Sequence, residues 1–189
     1  APARPAHSIY VLFTTAEESG LLGAEYFAAQ PVLPPAQWLA NINIDSLNMA
    51  GRTKDLALLG AERSTLGKVA QTLAESRGRV IGGGPEPGRG YFFRSDHFPL
   101  AKVGIPALSL SDPTQYVGQG HGYAKKMRDY YNEVDYHQPS DEFQSTWDMT
   151  GAIEDMRLLA ELGWAIANSS EVPAYNRGEQ FARPRQAAP

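Results

Sequence analysis

The chain has no cysteine in 189 residues, so disulfides and thiolate metal sites are excluded and any metal would have to be held by His, Asp or Glu. No run of about 18 apolar residues occurs, so no segment reads as a membrane-spanning helix. Basic residues are not in excess. The 17 Lys and Arg against 21 Asp and Glu leave a formal charge of −4, which gives no electrostatic footprint for nucleic acid or an anionic membrane. No Gly-x-Ser-x-Gly elbow is present, so the usual frame for a serine nucleophile is missing. The absence of cysteine suits a cytosolic and an exported protein alike. Ala1-Pro2-Ala3-Arg4-Pro5 has neither the charged start nor the apolar core of a signal peptide; it reads as a linker running into a strand, as in an internal piece of a longer protein.

What is present is the composition of one globular domain: 42% apolar and 20% charged residues, enough for a real core. Short apolar runs alternate with amphipathic segments. Ile9 to Phe13 reads as a buried strand and Leu21 to Ala29 as a helix ended by Pro31, Pro34 and Pro35. Trp38 to Asp45 reads as a second strand and Leu56 to Gly60 as a third. A helix capped by Ser64 or Thr65 is expected to run to about Ser76, with Leu66, Val69, Ala70 and Leu73 on one face. After a brief strand around Val80, the run Gly82 to Gly88 carries two prolines and reads as a loop or cleft rim rather than a phosphate cradle.

Ile105 to Leu110 reads as another buried strand. Residues 112–135 read as a long surface loop with a short helix near Lys125 to Tyr131. Asp148 or Thr150 is expected to cap a last helix from about Gly151 to Asn168, whose Ile153, Met156, Leu159, Ala160, Gly163 and Ile166 form a core stripe. An irregular tail over 169–189 would be pinned by Val172, Tyr175 and Phe181. This succession reads as α/β.

Chemistry concentrates at the ends of these elements. Glu17 and Glu18 fall at a strand-to-helix junction, where an open α/β sheet gathers ligands, although acids are also favoured at a helix start by the macrodipole. Asp45 closes a strand. His137 lies in a loop with Asp141 four residues on, the spacing of a metal ligand with an orienting carboxylate. Ser95-Asp96-His97 superficially suggests a triad, but triad members normally come from separate segments, so Asp96 and His97 are better read as cleft wall or bracing groups. Glu17, Glu18, Asp45 and His137 together are oxygen and nitrogen donors of the kind zinc accepts, and adjacent glutamates suit a division between metal ligand and general base.

Four stretches in order resemble metallopeptidase family twenty-eight, the zinc-dependent bacterial aminopeptidases, aminopeptidase Y and the glutamate carboxypeptidase II-like enzymes. They are Phe13 to Gly23 with its Thr-Thr-Ala-Glu-Glu-Ser-Gly run, Asn43-Ile44-Asp45, Arg94 to Phe98 with Gly104 to Ala107, and Asp135 to Asp141. The resemblance implies a three-layer α/β sandwich with a mixed, mostly parallel sheet flanked by helices, its N-terminal strands missing from this chain. It implies two zinc ions per site, with Glu17 as general base, Glu18 and His137 on one zinc and Asp45 on the other. Asp96 and His97 would line or brace the cleft. Tyr91 stands one residue out of register from an oxyanion-stabilising tyrosine of some relatives.

Members of the family also carry a histidine and a bridging aspartate before the Glu-Glu pair. Here His7 is the only upstream histidine and no Asp-Asn loop precedes the pair, so the chain resembles the C-terminal part of the catalytic domain, one partial domain over 1–189. The resemblance further implies an exopeptidase, most simply an aminopeptidase, acting on peptides in a periplasmic or secreted setting. A sheet lacking strands would expose an apolar edge that invites a dimer or a complementary N-terminal fragment. Two other activities fit the scaffold: a non-catalytic partner-binding relative and a glutaminyl-cyclase-like acyl transferase.

Overall fold

The computed structural model describes residues 4–82, 84 and 86–182. Its strands are β1 (Asn41–Asn43), β2 (Asp55–Leu59), β3 (Val80–Gly82) and β4 (Ala107–Ser111); its helices are α1 (Leu22–Ala29), α2 (Leu66–Ser76), α3 (His97–Lys102), α4 (Tyr123–Val134) and α5 (Thr150–Ala167). The strands form one sheet in the order β1-β4-β2-β3. β1 runs parallel to β4 and β2 parallel to β3, while β2 and β4 are antiparallel. The sheet is therefore mixed and mostly parallel, flanked by helices in an α/β sandwich.

Period-two alternation decides which side chains each layer receives. Leu56 and Leu58 of β2 and Leu108 and Leu110 of β4 meet Leu66, Ala70 and Ala74 of α2 and Leu158, Leu159, Leu162 and Ile166 of α5. On the other face Ala107 and Leu59 pack with Ala101 and Phe98 of α3, Phe92 and Phe181. No described helix is long and apolar enough to cross a membrane.

The α5 stripe differs from the one expected. Ile153 is 49% exposed and Ala160 also faces solvent, while Leu158 and Leu162 are buried in their place. Apolar residues lie on several sides of this helix, and its contact with α2 selects the face. Asp148 accepts the Thr150 hydroxyl at 2.6 Å and its backbone amide at 3.0 Å, which holds its carboxyl below the usual range. At α2, neither Ser64 nor Thr65 makes a side-chain cap. Helix α4 extends beyond the expected turn to span Tyr123–Val134.

Ile9 to Phe13 does not form the buried strand its apolar run predicts. Among the described residues no strand pairs with it, and Val11 and Phe13 are 76% and 91% exposed. The His7 amide just before the segment donates to Ala167 O at 2.9 Å, and within it Tyr10 meets the Trp38 ring edge-on at 5.1 Å. Of the expected strand from Trp38 to Asp45, only Asn41–Asn43 pairs.

A buried polar network braces the far side of the sheet. Arg79 Nη2 pairs with Asp155 at 2.7 Å and donates to Thr53 Oγ1 at 2.6 Å. The Asp55 carboxylate accepts the Thr114 and Gln115 amides at 2.8 and 2.9 Å, which ties the start of the long loop to β2. Of the expected Gly82 to Gly88 loop, Gly83 and Pro85 lie outside the described residues, as does the tail beyond Ala182.

Candidate active site

The Glu17–Glu18 pair sits in a tight turn that feeds α1. The Gly20 and Leu21 amides both donate to Glu17 O, at 3.0 and 2.8 Å, and the Gly23 amide donates to Thr15 O at 2.9 Å. Position 23 must be glycine, because a Cβ there would stand 2.6 Å from the backbone N and O of Thr15. Ala16 and Leu21, on either side of the pair, take left-handed backbone at φ 55° and 61°. The N-cap of α1 is Leu21, whose apolar side chain makes no cap hydrogen bond.

Other segments converge on this turn. Asp45, just past the end of β1, accepts the Ser95 hydroxyl at 3.1 Å, and Ser95 in turn accepts from Asn43 Nδ2 at 2.8 Å. Asp96 accepts the Thr14 hydroxyl at 2.5 Å. His137, itself left-handed at φ 59°, brings Nε2 to 2.6 Å from Glu18 Oε1. Tyr136 stacks on the His137 ring, with centroids 3.8 Å apart and planes 24° from parallel.

The electrostatics follow from that crowding. Partial burial raises the Glu17 carboxyl, Asp45, Glu18 and Asp96 raise it further, and His137 opposes them. Burial first, then Glu18, Glu17 and Asp45, also raises the Tyr136 hydroxyl. The His137–Glu18 contact is between side chains 52% and 69% exposed, so it contributes at most about 1 kcal/mol to stability and leaves both groups reachable from solvent. Beside the pair runs an open groove of about 440 Å³ lined by Glu17, Glu18, Leu21, Phe93, Arg94 and Phe98.

The structure thus brings Glu17, Glu18, Asp45, Asp96 and His137 together, with Tyr91 near enough to act on Tyr136, and it turns Asp141 and His97 away. Asp141 does not orient His137: it accepts the Tyr131 hydroxyl at 2.8 Å, because the turn after His137 carries it back towards α4. His97 does not line the cleft. It is fully buried, edge-on to Phe92 at 4.7 Å, and the hydrogen-bonding group beside its ring is the Phe92 backbone rather than Ser95, so no Ser95–His97 relay is formed among the described residues. The Tyr91 hydroxyl donates to Glu86 at 3.3 Å.

The sequence pattern gives no role to Tyr136, Thr14 or Asn43, although each lies within three residues of a candidate ligand or base. Among the described residues no three His, Asp or Glu side chains gather closely enough to hold a metal ion. Zinc therefore fits this site in the kind of donor and not in their number.

A mixed α/β sandwich with carboxylates gathered beside the end of β1 and the turn before α1 defines the class. Residues 1–160 match the model of Peptidase family M28, and the chain belongs to that family. Among solved structures it is similar to an aminopeptidase from Aneurinibacillus sp. strain AM-1, at 20% identity and a TM-score of 0.43, covering 89% of this chain and 34% of that one. The chain spans about a third of the length of that structure. No curated protein sequence matches it.

Proposed function

We propose that this chain carries the general base and part of the ligand set of a zinc-dependent exopeptidase that releases N-terminal residues from peptides. The observation behind this reading is the convergence of Glu17, Glu18, Asp45, Asp96 and His137 from four separate segments, with the Glu17 carboxyl raised by burial first and by its acidic neighbours after that. A helix-start acid pair with a purely structural role has no need of such company.

In this reading Glu17 takes the proton of the attacking water and passes it to the leaving amine, which its raised proton affinity favours. Glu18 and His137 form one ligand pair, and Asp45, steadied by Ser95, belongs to a second position. Three donors divided between two positions bind metal weakly, since affinity depends on ligand number and geometry. The peptide substrate, the periplasmic or secreted setting and a complementary fragment or second copy that completes the site belong to the same proposal.

Two measurements test it. The isolated chain is expected to retain less than one zinc per molecule on dialysis and to hydrolyse aminoacyl-p-nitroanilides barely above background; tight stoichiometric zinc with robust turnover overturns the incomplete-site reading. In a protein that includes the missing ligands, Glu17→Gln is expected to lower kcat by about a hundredfold or more while zinc stays bound. Unchanged kcat removes Glu17 from the role of base.

A further inference from the structure

The family match ends at residue 160 and α5 at Ala167, so the segment that follows carries nothing the family match assigns. It is nevertheless firmly docked. The Thr65 amide donates to Ala174 O at 2.9 Å, the Asn176 amide to Arg63 O at 2.8 Å, and the Asn176 side chain to Glu62 O at 2.7 Å. The Tyr175 hydroxyl donates to Ile105 O at 2.9 Å. Glu179 pairs with Arg63 Nη1 at 2.8 Å, both side chains mostly buried. Phe181, in a segment with neither helix nor strand, is only 6% exposed.

What Phe181 touches gives the segment its meaning. Its ring lies 5.7 Å from Phe92, 6.1 Å from Phe98 and 6.4 Å from Phe93, and the Arg63 guanidinium stands 4.6 Å over Phe92 and 5.8 Å from Phe181. The small side chains of Ala101 and Ala107 in the same cluster leave the space that these rings fill. Phe93 and Phe98 bracket Ser95 and Asp96 in sequence, and the Phe98 amide closes that turn on Ser95 O at 2.9 Å. One side of the turn therefore faces the site, through Ser95 on Asp45 and Asp96 on Thr14. The residues flanking it pack on Phe181.

We propose that residues 173–182 act as a strap that positions the Ser95–Asp96 turn against Asp45 and Thr14, with Phe181 and Arg63 as positioning residues. The proposal rests on the reading of that site as the catalytic one. Without the Phe181 ring a void opens between Phe92, Phe93 and Phe98, the turn gains freedom, and the hydroxyl that steadies Asp45 is no longer held in register.

The test uses the full 189-residue chain with Phe181→Ala, Phe181→Leu and Glu179→Gln, read by amide hydrogen exchange and by calorimetric titration with Zn²⁺. Phe181→Ala is expected to reduce protection of the Phe98 amide about tenfold while the β2 amides keep theirs. Zn²⁺ affinity should fall several-fold, with partial recovery of both readouts in Phe181→Leu. Glu179→Gln, which spares the core, should shift the same amide less and stands in if the alanine variant does not fold. Unchanged protection at Phe98, or equal loss throughout β2, overturns the strap. If Phe181→Ala lowers protection at Phe98 but leaves a measurable Zn²⁺ affinity of the parent chain unaltered, the strap holds and the reading of this turn as part of the metal site fails; where Zn²⁺ binding is too weak to measure, as the incomplete site leads one to expect, the Phe98 amide alone decides the strap.

Discussion

Two regions of this molecule are equally apolar in sequence and opposite in fate. Leu56, Leu58, Leu108 and Leu110 disappear beneath α2 and α5. Ile9 to Phe13, as rich in large apolar side chains, lies open to solvent. The central strands have neighbours for their backbone groups and helices over their side chains; the N-terminal segment has neither among the described residues. Hydropathy states which segments need cover, and only the partners decide whether they receive it. Glu17 and Glu18 stand directly after the uncovered run.

The contrast is broken or sharpened by three measurements. The largest effect is expected from Asp155→Ala on the covered side. The change strands Arg79, whose side chain is 7% exposed, without its buried partner, and should cost about 4 kcal/mol in urea unfolding. A shift below about 1 kcal/mol would mean that this side is no better sealed than the other.

Next comes His97. Burial pushes its imidazole down from 6.5 to about 4, so the folded state holds it neutral. The sign follows from that depression: the stability it contributes is complete above pH 6.5 and is lost as the pH falls towards 4, by about 3 kcal/mol. His97→Asn should remove this part of the acid sensitivity, measured as the difference between urea midpoints at pH 7 and pH 4.5. An unchanged pH dependence would show that protons reach the ring without unfolding. The smallest effect is expected at the open edge, where Phe13→Ser should alter unfolding by no more than about 0.5 kcal/mol. A core-sized loss there would mean that the edge is covered in solution.

Legibility divided along the same line. β2, β4 and α2 were readable because each is a short apolar or amphipathic run bounded by Gly, Ser or Arg, and their burial follows directly from the pattern. The face of α5 was misread, with Ile153 in the stripe and Leu162 left out, because only the approach of α2 decides between its apolar sides. Ile9 to Phe13 was misread because a pattern does not reveal the absence of a partner.

At the site, the adjacent acids, the strand-end aspartate and the loop histidine were visible as residue types in context. The bonds that steady them were not. Thr14 reaches Asp96 across 82 positions and Ser95 reaches Asp45 across 50, separations over which no local spacing carries information. A Ser-Asp-His run does not disclose which side of its turn each member faces, so the sequence leaves lining and bracing equally open for His97, and burial excludes the first.

Among the described residues, the three non-glycine residues with left-handed backbone are Ala16, Leu21 and His137, and all three flank or form the site. Each departs from ordinary L-residue geometry by roughly 1–2 kcal/mol. A sequence selected for durability alone would write glycine at 16 and 21 and relax the turn. Engineering for heat tolerance and engineering for turnover would therefore first come into conflict at these positions, since the substitutions that most simply toughen the chain would also loosen the hold on Glu17 and Glu18.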